Sequence, residues 1–191
     1  MKRTMCSTIL ILAIASCSSC VRSIQPFYEQ KDVYFDSSLI GTWIDPGGAE
    51  SWKIRRLGEK EYVIDQTDEE GQTTRFEARL FRLGRRSFID LVATSSGDTG
   101  NGQKLAPHTF VAVKKDRCTA RMSYLDPAWL KTLLANNPKA IRHANLDGEI
   151  VLTDSTRNLQ TFIRKHLASP GAFEQTETLY KKGETQCERK D

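Results

Sequence analysis

Leu39-Ile40-Gly41-Thr42-Trp43-Ile44, stopped by Asp45-Pro46-Gly47-Gly48, decides the fold class of this chain. A short apolar run ends at four residues that each favour a turn, and the same unit then recurs. Trp52 and Ile54 alternate with Lys53 and Arg55 before Gly58-Glu59-Lys60. Tyr62 and Ile64 precede Asp68-Glu69-Glu70-Gly71, and Phe76, Ala78 and Leu80 alternate with Glu77 and Arg79 before Gly84-Arg85. Residues 87–94, 109–113 and 119–125 are three further apolar runs. A period of two, interrupted by turns every ten to fifteen residues or so, predicts an antiparallel up-and-down meander of short strands.

The period then lengthens. Asp126-Pro127 sets a capping carboxylate before a proline at the first helical position, where its missing N–H costs nothing. Trp129, Leu130, Leu133 and Leu134 fall on one face of the helix this opens, and Asn137-Pro138 ends it. Residues 149–153 are expected as the eighth strand. A second amphipathic helix starts near Asp154-Ser155 and carries Leu159, Phe162, Ile163 and Leu167. Residues 169–191 are polar and are expected as a tail with a short helix over 173–179.

At 191 residues, 39% hydrophobic and 27% charged, the chain has material for one domain. Twelve glycines and six prolines exclude collagen-like and low-complexity classes. Its mean hydropathy of -0.47 excludes a polytopic helical membrane protein.

The first sixteen residues differ from the rest. They carry Lys2 and Arg3, no acidic residue, and an apolar run over Ile9 to Ala15 that is too short to span a bilayer. This is the pattern of a signal peptide. Its exit, Ile14-Ala15-Ser16-Cys17, resembles the lipobox of bacterial lipoproteins. That resemblance implies diacylglyceryl transfer to the Cys17 sulfur, cleavage between Ser16 and Cys17, and acylation of the new amino group. The mature chain would then be held to a membrane by acyl chains such as palmitate, since two or more chains anchor stably. Ser18 stands where a lipoprotein retained at the inner membrane often has Asp. The resemblance therefore implies the cell envelope and the outer membrane, on its periplasmic or surface side. Loss of Lys2 and Arg3 lowers the formal charge of +4 to +2, and no basic stripe with interleaved aromatics remains, so nucleic acid is not an expected partner.

The expected organisation is a signal peptide over 1–16, a lipidated tether over 17–38, a barrel over 39–168 and a polar tail over 169–191. Residues 18–36 would span about 60 Å if extended, unless Phe27, Tyr28, Tyr34 and Phe35 dock on the domain. A disulfide between Cys118 and Cys187 would tie the tail to the body, a buried free thiol at Cys118 being the alternative.

Eight meandering strands opened by Gly41-x-Trp43 resemble the lipocalin and related calycin barrels over residues 39–168. The resemblance implies a mainly β, lipocalin-like barrel in which the glycine permits tight packing and the tryptophan closes one end. The chain departs from typical members by a helix before the last strand and another after it. Trp43, Trp52, Tyr62, Phe76 and Leu80 are the candidate ligand-lining residues, because alternation puts every second side chain inside.

Candidates for chemistry are few. His108, His143 and His166 share no metal-ligand spacing, and no cofactor or metal is expected. His166 is read as a boundary residue of the second helix. Asp65, Asp68, Glu69 and Glu70 lack the terminal glutamate of a calcium loop, Phe76 standing in its place. The loop Gly97–Gly102 lacks the strand-before, helix-after setting of a phosphate loop. Basic residues at two hairpins, Arg82, Arg85 and Arg86 and then Lys114, Lys115 and Arg117, are read as charge protection of edges. No paired carboxylate or activated nucleophile is legible, so catalysis is not expected. Two readings follow: a carrier of a small apolar or amphipathic ligand, or a non-catalytic envelope interaction and assembly lipoprotein with a solidly packed barrel.

Overall fold

The computed structural model describes residues 20–94 and 106–183. Eight antiparallel strands close into a barrel: β2 (Gly41–Ile44), β3 (Ser51–Arg56), β4 (Tyr62–Thr67), β5 (Thr73–Leu83), β6 (Arg86–Ala93), β7 (His108–Lys115), β8 (Thr119–Ser123) and β11 (Thr176–Lys181). Neighbours in the chain pair as hairpins from β2 to β8, and β11 closes the ring by pairing with both β8 and β2. Three strands lie outside it. β1 (Arg22–Ser23) pairs with the start of β7 at His108 and runs parallel to β10 (Glu149–Leu152), which forms a hairpin with β9 (His143–Leu146). The β9–β10 turn is Asp147-Gly148, with both residues at positive φ (52° and 87°), the combination that matches a tight hairpin to strand twist.

The fold class read from alternation is therefore present, with two elements displaced. The strand expected at 149–153 exists as β10 but belongs to the outer sheet. The eighth barrel strand is β11, inside the stretch expected to be a polar tail. A strand that buries one face needs few apolar residues, and in Thr176-Glu177-Thr178-Leu179-Tyr180-Lys181 only Leu179 is buried. The segment expected as a tether is also structured from Cys20 onward. Phe27, Tyr28 and Val33 are buried on the barrel, and Tyr34 and Phe35 pack against it.

Two apolar clusters explain the arrangement. Inward side chains form the first, among them Trp43, Trp52, Ile54, Ile64, Met122 and Leu179. The second lies outside the wall: Phe81 and Leu83 of β5, Phe88 of β6 and Phe110 and Ala112 of β7 face outward and are covered. The cover comprises Phe27 and neighbours, α1 (Pro127–Asn136) through Leu130 and Leu134, and α2 (Thr156–His166) through Leu159, Phe162 and Ile163. β6 is consequently buried on both faces from Phe88 to Leu91, which is why that stretch reads as a continuous apolar run.

Both helices start as their sequences predict. The Asp126 carboxylate accepts from the Trp129 N–H at 2.8 Å, and Ser155 Oγ accepts from the Asn158 N–H at 3.4 Å. Gly41 has φ 137°, and a Cβ there would lie 3.2 Å from the Lys181 side chain. Glycine thus lets the first barrel strand approach the last one closely.

One buried charge holds the N-terminal segment down. Asp90, 2% exposed on the outer face of β6, accepts the Phe27 N–H at 3.0 Å and pairs with His108 Nδ1 at 2.7 Å. The Phe27 ring lies 4.2 Å from that of Phe110. Asp90→Ala is expected to cost about 1–3 kcal/mol, the penalty of orphaned buried partners, and to raise amide exchange over residues 21–33 ahead of the barrel strands. Phe27→Ala should cost about 3–5 kcal/mol in denaturant unfolding. Unchanged stability for both variants would mean that the segment does not support the barrel.

Candidate functional site

Among the described residues, the barrel interior is filled at one end and open at the other. At the filled end Trp43, buried, donates its Nε1–H to the Leu39 carbonyl at 2.8 Å, so a short 3₁₀ turn (Ser37–Leu39) plugs the opening. The Tyr62 hydroxyl accepts the Asp36 N–H at 2.7 Å and donates to the Asp36 carbonyl at 3.2 Å. Burial pushes the Tyr62 phenol up to about 12, so it stays a neutral donor. Phe35 stacks on it with ring centres 5.0 Å apart.

At the other end lies a cavity of about 610 Å³. Trp52 of β3, Phe76 of β5 and Leu91 of β6 form its apolar wall, while Gln66, Thr109 and Tyr124 add polar groups. The register accounts for their meeting. Trp52 is opposite Gln66, Ile64 is opposite Phe76, and Leu91 is opposite Thr109, so each belongs to an inward row. Cys20 and Arg22 of the N-terminal segment also border the cavity, because β1 takes up the edge of β7 at His108 where β8 no longer pairs. Arg22 is engaged by Glu149 at 3.1 Å.

Two carboxyls share this wall. Glu50 precedes β3 on the same face as Trp52, and Glu177 stands on β11. Burial raises both above the usual carboxylate range, and the charge of Glu177 pushes Glu50 up further. The Tyr124 O–H donates to Glu177 Oε2 at 3.0 Å, which pulls Glu177 the other way. The Glu50 carboxyl hydrogen-bonds Glu177, which lowers Glu177 and raises Glu50; among the described residues the buried Glu177 Oε1 has no further donor and the buried Trp52 Nε1–H no acceptor. Facing carboxyls of this kind are satisfied by a proton held between them, in keeping with the raised Glu50.

Of the candidate lining residues, Trp52 and Phe76 border the cavity. Trp43, Tyr62 and Leu80 lie in the packed interior away from it. Ser16 and Cys17 lie outside the described residues, as does the Gly97–Gly102 loop. Sequence reasoning missed Glu50, Gln66, Leu91, Tyr124 and Glu177. Glu50 and Gln66 extend the alternation already read through Trp52 and Ile64 by one step each, while Leu91 and Tyr124 fall within the apolar runs 87–94 and 119–125 and share their faces with Ile89 and Met122. Glu177 carried no such signal. The absence of a legible carboxylate pair is thereby corrected: the pair forms across strands distant in sequence.

The remaining candidates have structural surroundings. His108 pairs with Asp90, His143 Nδ1 lies 3.0 Å from the Ile141 carbonyl, and His166 packs on Trp129 and Phe162, where burial lowers its pKa. Asp65 bridges Arg55 at 2.6 Å and Arg75 at 2.7 Å across the outer face, and Asp68 caps its turn by accepting the Gln72 N–H. Arg82 lies over the Tyr34 ring and Lys115 lies 3.7 Å from Asp36. Cys118 is disulfide-bonded, so it is not the free thiol offered as the alternative; Cys187, its expected partner, lies outside the described residues. Among the described residues no three His, Cys, Asp or Glu side chains gather to hold a metal ion.

A raised carboxyl favours the folded state while neutral, and its contribution is lost as pH rises through the folded value. Glu177→Gln, which keeps the acceptor for Tyr124, is therefore expected to melt above the wild type at about pH 8, with the gap closing near pH 4. Thermal unfolding at the two pH values checks this; a gap that widens toward acid contradicts it.

No protein-family model, no curated protein and no solved structure matches this chain, so no relative lends the cavity a function.

Proposed function

We propose that this chain is a lipid-anchored lipoprotein of the cell envelope whose barrel takes up one small apolar or amphipathic ligand through its open end. The observation that carries this reading is the cavity of about 610 Å³ inside one end of a barrel whose other end is filled. Ligand sites commonly measure about 300–1,000 Å³ and combine an apolar wall with a few polar groups. Trp52, Phe76 and Leu91 supply the wall; Glu50, Gln66, Tyr124 and Glu177 supply the polar groups. Eight strands are enough to hold one small ligand.

The lipobox-like Ile14-Ala15-Ser16-Cys17 supports the anchor, and Ser18 after it supports the outer-membrane destination. The position of Cys20 supports a link between anchor and cavity. Cys17 is three residues before a residue at the cavity rim, a reach of at most about 11 Å. Acyl chains on Cys17 would therefore enter the bilayer beside the opening, and a lipid-derived ligand could pass between membrane and barrel without crossing much water.

Two measurements test the reading. Cys17→Ala is expected to abolish lipid labelling and membrane fractionation, and continued labelling would refute the anchor. Native mass spectrometry of the Cys17→Ala chain, purified from the envelope without detergent, is expected to find a retained small molecule. Thr109→Trp, which fills the cavity, should release it. A chain that carries nothing in either form would favour an envelope interaction protein over a carrier.

A further inference from the structure

Three large apolar side chains stand exposed among the described residues: Ile24, Leu57 and Leu146, the last most of all at 58%. A single exposed leucine is ordinary on a protein surface; the position of Leu146 is what sets it apart. It is the last residue of β9 and pairs with Glu149, the first residue of β10, across the tight Asp147-Gly148 turn. β1 runs parallel to β10, with Arg22 opposite Val151 and Ser23 opposite Leu152. Traced backward, β1 therefore leads toward this turn. Cys20 accordingly borders one small hollow together with Gly148, Glu149 and Lys131, and the Arg22–Glu149 ion pair of 3.1 Å ties the two strands at that end. Cys20 also borders the barrel cavity. The open end of the barrel, the hairpin tip and the approach from Cys17 thus lie on one side of the molecule.

We propose that the β9–β10 tip is a second membrane contact. Leu146 enters the headgroup layer of the bilayer that holds the Cys17 acyl chains, and so turns the open end of the barrel toward the lipid. This rests on the anchor in the reading above and adds an orientation to it. Cys17 is three residues before Cys20, so the bilayer surface lies within about 11 Å of Cys20. Neighbouring strands are about 4.8 Å apart, so Leu146, two strands over, is about 10 Å from the line of β1. The same stretch of surface that receives the acyl chains is therefore within reach of the tip. The Asp147 carboxylate beside Leu146 keeps the contact shallow, because a charge is costly in hydrocarbon. Lys131, exposed at the same hollow, offers an ammonium to lipid phosphates. Leu57 is the contrast. It follows β3 at the filled end, next to Arg56, whose guanidinium lies 4.6 Å over the Phe35 ring, and so it stands away from Cys20.

The test uses the lipidated full chain, extracted from the envelope and reconstituted on phosphatidylcholine vesicles brominated near the top of the acyl chains. Leu146→Trp and Leu57→Trp, each checked for folding by circular dichroism, are compared with the wild type by tryptophan emission. The emission added by Leu146→Trp is expected to shift to shorter wavelength and to be mostly lost to bromine quenching. The emission added by Leu57→Trp is expected to keep its wavelength and intensity. Amide exchange of the unsubstituted chain gives an independent reading: residues 146–149 should exchange more slowly on vesicles than in the Cys17→Ala chain in water, and residues 57–61 should not differ. An unquenched Leu146→Trp, or unchanged exchange at 146–149, in a chain that floats with the vesicles would overturn the contact and leave the anchor standing. Equal quenching at both positions would overturn the orientation in the same way. A chain that does not float with the vesicles would overturn the anchor and this inference together.

Discussion

Closure of the barrel by β11 is the constraint on which the rest depends. Seven strands joined by hairpins would leave an open sheet with two edges of unpaired N–H and C=O groups, and only a further strand that bonds to both edges removes them. β11 is in register with β8 from Thr176 to Tyr180, but with β2 only at Tyr180 and Lys181, where the Lys182 N–H also donates to the Thr42 carbonyl. The seam is thus complete at the end where Trp43 and Leu39 plug the interior, and it stops short at the other. Glu177 lies on the part of β11 beyond the β2 pairing, and Glu50 lies just past the β2–β3 turn. The cavity therefore forms where the last strand has run out of partner on one side. The two carboxyls meet there because nothing apolar fills that corner.

A second constraint acts on the outer face. Phe81, Phe88 and Phe110 point away from the interior, and no barrel can leave such a row in water without exposing a large apolar patch. The N-terminal segment and the two helices form around that requirement. Asp90 adds direction to it: a buried carboxylate is tolerable only with donors in place, and Phe27 N–H and His108 provide them. The segment is thereby held along β6 and β7 and led to the rim, where Cys20 and Arg22 border the cavity.

Most of the barrel was legible from residues 39–125 because each strand there buries one face and alternates, and both helices were legible from their capping residues. β11 was not, since a strand paired on both sides needs only Leu179 to be apolar when backbone bonds do the closing. The site was half legible. Trp52 and Phe76 are large aromatics on inward rows. Trp43, Tyr62 and Leu80 belong to the same rows, but alternation gives the face of a strand and not the depth along it, so the filled and open ends could not be told apart. Glu50 is one step of alternation from Trp52, but its meeting with Glu177 escaped, because residues that meet only through ring closure have no spacing to recognise.

Strand β6 joins the cover to the cavity. Phe88 and Asp90 face the outer cover, while Ile89 and Leu91 face the interior, with Leu91 in the cavity wall. A strand buried on both faces cannot shift one set of side chains without moving the other, because the pleat links them through a single backbone. The hold that Asp90 has on Phe27 and the shape of the wall at Leu91 are therefore properties of one element. The cover over Phe88 and Phe110 thus also fixes the open end, which lets a barrel with an incomplete seam keep a defined cavity rather than collapse into it.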